Sequence, residues 1–313
     1  MCIGEHGAVS RCARVHVKAG EAHSIESVCI LNMYPPPLCR TMPEGPEIRR
    51  AADRIRKAVV GDVAHDVFFA FDHLVARGAV LSGCVVEAVE PRGKAIITRF
   101  EGGLNVYSHN QLYGRWYIHP VDREAKTTRS LRFAITTETT VAALYSASDI
   151  FLLDDDGVDS HPYIAKLGPD PLADEADASA IAERAASDTF RRRGLPGLLL
   201  DQAFVAGLGN YLRSEILFSA GLRPTLRPTD LSDEQLLALG TSTVETLRLA
   251  YSQAGVTTPA EVHAAMKADG HPRKQWRHWV FNREGQPCHA CGAVIERHEL
   301  GGRRLYACPS CQS

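Results

Sequence analysis

Four cysteines near the carboxyl end restrict this chain more than any other feature: Cys288-x-x-Cys291 and Cys308-x-x-Cys311, with 16 residues between the pairs. Such pairs present four soft thiolates to one tetrahedral zinc ion, and the strand-like residues between them read as a hairpin. With sulfur in all four positions the zinc is expected to be structural, since no position stays open for water. Two disulfides or a redox pair would be the alternative, but a chain without an export signal is expected to meet reducing conditions. His289 sits beside a ligand and is read as a bystander. A zinc finger is therefore expected over residues 279–313.

Ahead of it the hydrophobic pattern changes character once. Residues 48–60 carry apolar side chains three and four apart, with Gly61 as a stop, and predict a helix. Strand-like runs follow at 67–71, 80–89, 95–100, 104–108, 115–119, 131–136 and 141–146. Short strands without intervening helices predict an antiparallel β-sandwich, so residues 43–155 read as a helix plus sandwich. Asp-Gly, His-Pro and Gly-Pro-Asp-Pro steps mark 156–172 as a hinge. Residues 173–270 are rich in alanine and leucine at helical spacing. The fold class is thus α+β: an N-terminal helix and antiparallel β-sandwich, then a helical domain and the zinc-finger hairpin. Within the helical part, an apolar helix is expected to end at Gly207-Leu208-Gly209-Asn210, with a second starting near Tyr211. Two glycines would let the backbone approach a phosphate, and the amides opening the second helix would point outward as donors.

At 45% hydrophobic and 23% charged residues the chain has an ordinary globular make-up. No apolar run approaches the ~18 residues of a membrane span, so no membrane partner is expected. A formal net charge of −2 argues against nucleic acid. Its distribution argues the other way: Arg49, Arg50, Arg54, Arg56 and Lys57 share one helix, and Arg191, Arg192 and Arg193 form a second group. Acidic residues gather instead at 154–156 and 170–177, and charge location governs the field more than the total does.

Met42-Pro43-Glu44-Gly45-Pro46-Glu47 makes most chemical sense if the working protein begins there. Loss of the methionine would leave Pro43 with a free secondary amine, able to attack an aldehyde or sugar carbon and form an iminium ion. Glu44 would handle protons at the same carbon. If nothing is trimmed, the Pro43 nitrogen is a planar amide and cannot act so. The plainer reading is a loop before a helix that starts at Pro46. Residues 1–41 carry Cys2, Cys12, Cys29 and Cys39 at spacings that match no usual ligand pattern, and Pro35-Pro36-Pro37. They read as an extension from a start codon assigned too early.

The run MPEGPEIRRAADRI at 42–55 resembles the amino terminus of DNA glycosylase/lyases of the formamidopyrimidine-glycosylase and endonuclease VIII family, closest to the endonuclease VIII branch. The likeness continues to the last residues and leaves out only 1–41. It implies that Pro43 is the nucleophile and Glu44 the acid/base. In Pro91-Arg92-Gly93-Lys94, Lys94 matches a lysine that contacts phosphate and assists base release. In the loop from Ser108 to Gly114, Gln111-Leu112-Tyr113 matches a triplet pushed into the duplex where the damaged nucleotide has flipped out, and His109 is counted with it as DNA-binding. The 197–215 stretch resembles the helix-two-turn-helix, with Asn210 on the DNA backbone. Arg303 matches the finger arginine that grips phosphates beside the lesion, with Arg304 ranked second. Glu47 and Glu215 are expected in supporting polar roles.

The resemblance implies a bifunctional DNA glycosylase/AP lyase of base excision repair. It would remove oxidised pyrimidines from damaged double-stranded DNA by β,δ-elimination. Zinc is the only cofactor implied, with no nucleotide cofactor, and the expected state is a bacterial cytoplasmic monomer, nucleoid-associated when on DNA. The alternatives are a formamidopyrimidine/8-oxoguanine glycosylase and a non-catalytic zinc-dependent DNA-binding protein.

Overall fold

The computed structural model describes residues 42–173, 175–300 and 302–312. The expected extension and its four cysteines lie outside the described residues. Helix α1 (Gly45–Val59) opens with Pro46 in its first turn, and the Glu44 amide donates to Glu47 Oε2 at 3.2 Å. Its buried positions Ile48, Ala51, Ala52, Ile55 and Val59 keep helical spacing and face the first core.

Strand β1 (Asp66–Phe69) is followed by helix α2 (Asp72–Leu81) and then by β2 (Val86–Arg92), β3 (Ala95–Phe100) and β4 (Leu104–His109). Strands β5 (Arg115–Pro120), β6 (Leu131–Thr136), β7 (Thr140–Tyr145) and β8 (Asp149–Leu153) complete two antiparallel sheets, ordered β1-β6-β7-β5 and β2-β3-β4-β8. Phe69, Trp116, Phe133 and Leu144 from one sheet share a core with Val89, Ile96, Phe100 and Val106 from the other. Phe69 stacks on Phe133 with ring centroids 5.0 Å apart. Arg56 of α1 donates through Nε and Nη2 to the Val89 carbonyl, which ties the helix to β2. The second sheet is covered on its outer face too, where Ala95, Ile97 and Tyr107 meet Val158 of α3 (Asp155–Ser160).

Two expectations are corrected here. A helix does intervene among the strands, and residues 80–81, expected in a strand, close that helix. Leu74, Gly78 and Leu81 form its buried face, while exposed Val75 and Val80 lend the stretch a strand-like look. Gly78 is required there, since a Cβ would sit 2.1 Å from the Val67 carbonyl oxygen. Strand β8 was not foreseen.

A second core gathers α4 (Ala178–Ala186), α5 (Leu195–Leu198), α6 (Asn210–Ser219) and α7 (Asp233–Ser252). Shorter helices α8 (Ala260–Ala268) and α9 (Arg273–Trp276) lead to the hairpin β9 (Glu296–Leu300) and β10 (Arg303–Ala307), which pairs antiparallel. Leu305, Tyr306 and Ala307 of the hairpin join this core. The Ser232–Gln235 capping box starts α7. Among the described residues, no helix is long and apolar enough to cross a membrane.

The long apolar helix expected before Gly207 is also corrected. Only α5 forms, and the chain then turns on its own side chains. Gln202 Nε2 donates to the Leu208 carbonyl at 2.7 Å, Gln202 Oε1 accepts from Gly207 N at 3.0 Å, and Asp201 Oδ1 accepts from Ala203 N at 2.9 Å. These bonds take backbone groups that a helix would need. The segment 156–172 is bonded on both sides: the Tyr163 hydroxyl accepts from Lys94 N at 2.8 Å, and Gly168 N donates to the Gln202 carbonyl at 2.8 Å.

Candidate active site

The amino-terminal residues of the sandwich dock into the turn that opens α6. Glu44 is 3% exposed. Its Oε1 accepts from Tyr211 N at 2.8 Å and its Oε2 from Leu212 N at 3.2 Å, so the free amides and dipole of a helix N-terminus cradle the carboxyl. Gly45 N donates to the Gly207 carbonyl at 2.8 Å. Gly207 lies at φ +85°, and a Cβ on it would come within 3.1 Å of Gly45 Cα. At position 209 a Cβ would be 2.4 Å from Glu44 Cδ. The two glycines thus admit Gly45 and Glu44, and the amides expected to face a phosphate face the glutamate instead.

Pro43, half-buried, immediately precedes this anchored carboxyl, and in the full chain its nitrogen is joined to Met42. Burial pushes the Glu44 carboxyl up to about 7, against the opposing pull of Lys94 and of the Tyr211 and Leu212 amides. Burial likewise lowers the Lys94 pKa, with Arg303 adding to the effect and Glu44 opposing it. Glu44, Lys94 and Arg303 therefore share one field, although they come from three distant parts of the chain. Gly93, at φ +59°, makes the turn that presents Lys94. Behind Glu44 lies a further ring: Glu47 accepts from the Tyr211 hydroxyl at 3.1 Å and pairs with Arg277 at 3.5 Å.

Arg303 is exposed at the first position of β10, and the backbone beneath it is held from α6. Arg213, 1% exposed, donates through Nη2 to the carbonyls of Arg303 at 3.2 Å and Arg304 at 3.1 Å. Asn210 Nδ2 donates to the Arg304 carbonyl at 3.0 Å, and its buried Oδ1 has no partner among the described residues. The loop of Gln111, Leu112 and Tyr113 keeps its own hydrogen bonds within the sandwich. Gln111 has φ +52°, accepts from Ser148 Oγ at 2.8 Å through Oε1, and donates its amide to His109 Nδ1 at 3.0 Å. Leu112 and Tyr113 are 39% and 61% exposed, so neither caps the sandwich core. Burial lowers the His109 pKa, with Asp149 opposing and Lys94 contributing.

The ligand atoms of Cys288, Cys291, Cys308 and Cys311 all lie within 4.8 Å of one another. The Sγ pairs 288–311 and 291–308 are 3.9 and 3.5 Å apart, close to the ~3.8 Å edge of a tetrahedron with Zn–S bonds of ~2.3 Å. The chain entering this ribbon is fixed by Glu215. Its carboxyl, almost fully buried on α6, accepts from the backbone amides of Trp279, Val280 and Phe281 at 2.8, 3.0 and 2.8 Å, and from the Thr257 hydroxyl. Arg213, Arg277 and Tyr163 were not singled out from sequence. An arginine one turn after Asn210 in an apolar helix was the available signal for Arg213; nothing in spacing marks Tyr163.

A helix-backed sandwich and a helical half with a four-cysteine ribbon meet at a buried Glu44, the architecture of one class of DNA glycosylase. Two family profiles agree: the formamidopyrimidine-DNA glycosylase N-terminal domain matches residues 42–146, and the formamidopyrimidine-DNA glycosylase H2TH domain matches residues 167–261. Endonuclease 8 of Escherichia coli O17:K52:H18 (strain UMN026 / ExPEC) is 45% identical over 271 residues, covering 87% of this chain and all of that protein. Endonuclease 8 of E. coli O1:K1 / APEC is 44% identical over the same shares. The chain belongs to the formamidopyrimidine-DNA glycosylase/endonuclease VIII family and is a DNA glycosylase with AP lyase activity in base excision repair. A solved Lactococcus lactis Fpg complexed with abasic-site DNA superposes with a TM-score of 0.71 at 21% identity, covering 86% of this chain and 99% of that one. MutM with carbocyclic 8-oxo-G DNA gives 0.69 at 22%, covering 87% and 100%.

Proposed function

We propose that the working protein presents Pro43 as its first residue and removes oxidised pyrimidines from duplex DNA. The observation that carries this reading is the Glu44 carboxyl. It lies directly beside Pro43, cradled by two amides and raised to about 7, where it can give or take a proton near neutral pH. The Pro43 amine attacks sugar C1′ and the base departs with a proton supplied through Glu44. Opening of the C1′–O4′ bond, with a proton going to O4′, then leaves an iminium that acidifies the C2′ hydrogens. Loss of a C2′ proton breaks the C3′–O bond, and loss of the C4′ proton then breaks the C5′–O bond.

Lys94, Asn210 and Arg303 hold phosphates, contacts that position the strand without reading its sequence. Exposed Leu112 and Tyr113, with Gln111, fill the space left by the flipped nucleotide. The four cysteines suit one zinc ion, which would fix the ribbon and leave no position for water. No nucleotide cofactor is needed, and one copy of the chain carries all these groups.

The pyrimidine preference rests on 45% identity to proteins named endonuclease 8, against 21–22% to the solved Fpg chains. Single-turnover excision from thymine-glycol and 8-oxoguanine duplexes, side by side, tests it. Thymine glycol is expected to react at least about tenfold faster, a difference of ~1.4 kcal/mol in barrier; equal rates or an 8-oxoguanine preference would overturn the assignment.

A further inference from the structure

We propose that Arg115 and Lys126 form a seat for the phosphate backbone of the undamaged strand, on the side of the wedge loop away from the catalytic carboxyl. The proposal rests on the wedge assignment made above. The loop has two flanks of different chemistry. On the upstream flank the His109 ring meets Tyr163 edge-on, centroids 5.4 Å apart, and the Tyr163 hydroxyl accepts from Lys94 N at 2.8 Å. This flank therefore borders Lys94 and on the proposed reading takes the damaged strand. The downstream flank runs from Tyr113 through Gly114 into Arg115 at the start of β5.

Here the surface opens into a groove of about 680 Å³ lined by Arg115, Tyr117, Lys126, Thr127, Thr128 and Arg129, with no carboxylate in its lining. Arg115 lies over the Tyr117 ring, 5.4 Å from its centroid, and the Tyr117 hydroxyl donates to Thr127 Oγ1 at 3.4 Å. Arg129 joins this groove to the wedge, since its Nη1 donates to the Tyr113 carbonyl at 2.5 Å. Asp122 and Glu124 occupy the earlier part of the same loop, and Glu124 lines a different groove with Asp66 and His119.

Arg115 and Lys126 are exposed and, among the described residues, pair with no carboxylate. In a chain of net charge −2, two unpaired cations beside hydroxyl donors form a local anion seat. A side chain wedged into a duplex from one strand's gap has the second strand on its far side. A phosphate run there would meet Arg115, Lys126 and the Thr128 hydroxyl. Such contacts carry no base information, so they would serve every opposite base alike.

The test uses Arg115→Gln, Lys126→Gln and the double variant of the full chain, leaving Arg129 intact because it holds the wedge. Equilibrium binding is measured on a duplex containing a stable abasic analogue and on the same damaged strand alone, over a range of salt. The double variant is expected to bind the duplex about tenfold more weakly at 0.1 M salt, with the slope of log K against log salt shallower by about 1.8. Its affinity for the single strand should match the parent's. Unchanged duplex affinity and slope would overturn the seat, as would an equal loss on the single strand, which would place both residues on the damaged strand. Leu112→Ala, measured in parallel, separates the two claims. If that variant alone loses duplex-specific binding, the wedge stands and the seat falls; if neither loses it, the wedge assignment has failed.

Discussion

In a protein whose first residue is Pro43, Glu44→Gln is expected to slow base excision in single turnover by about 10²–10⁴-fold, the range of a positioned acid/base. Cleavage of a strand that is already abasic should suffer less, because the open sugar offers an aldehyde and no base has to leave. The pH dependence has a definite sign. An ordinary glutamate is ionised at pH 6, whereas Glu44, raised to about 7 by burial, is mostly in its acid form there. Excision that uses this acid should therefore fall through pH 7 to 8 as the proton is lost. Lys94 holds the Glu44 pKa down, so Lys94→Met should move that falling limb to higher pH while lowering the maximum rate. A profile flat from pH 6 to 8, or an unimpaired Gln variant, would remove Glu44 from the proton-carrying role.

Loss of the proposed zinc should act through the helical half rather than through chemistry. Cys288, Ile295, Leu305, Tyr306 and Cys308 belong to the same core as α6 and α7, so the ribbon is part of that core and not an appendage. Removing zinc by chelation, or one ligand by Cys308→Ser, leaves charged or unpaired thiolates in that wall and frees β10. Arg213 then loses the carbonyl acceptors of Arg303 and Arg304, and Arg303 loses its fixed position. DNA affinity is expected to fall by about 10²-fold or more, with a lowered melting temperature, since binding energy at structural zinc sites is folding energy. Hydrogen exchange should show lost protection at residues 288–312, with β3 and β4 unchanged. One zinc per chain in the untreated protein, and none after treatment, completes the test. Unaltered binding by a metal-free chain would contradict the arrangement.

What could be read from sequence was what is local. Cys-x-x-Cys spacing, the stripe from Ile48 to Val59 and the strands at 95–100 and 131–136 are each set by residues a few positions apart. The docking of Glu44 on Tyr211 and Leu212 spans more than 160 positions, and no pattern in either stretch announces the other. Gly207 and Gly209 were legible as a close approach of backbone to something; that the something is Gly45 and Glu44 needed the fold. The helix expected before them failed for a physical reason, since Asp201 and Gln202 bond the backbone more favourably than another helical turn would. Helix α2 was hidden by its exposed valines. The site residues themselves were named through family resemblance, and the bare chemistry of an isolated Lys94 or Arg303 would not have singled them out.

The most direct measurement is the mass and site of a covalent adduct. Borohydride reduction on abasic duplex DNA, followed by digestion and mass spectrometry, should place the sugar on the nitrogen of Pro43 in protein that begins there. Protein retaining the preceding residues should bind the same duplex and yield no adduct. An adduct formed equally well by the longer chain, or found on Lys94, would contradict the account.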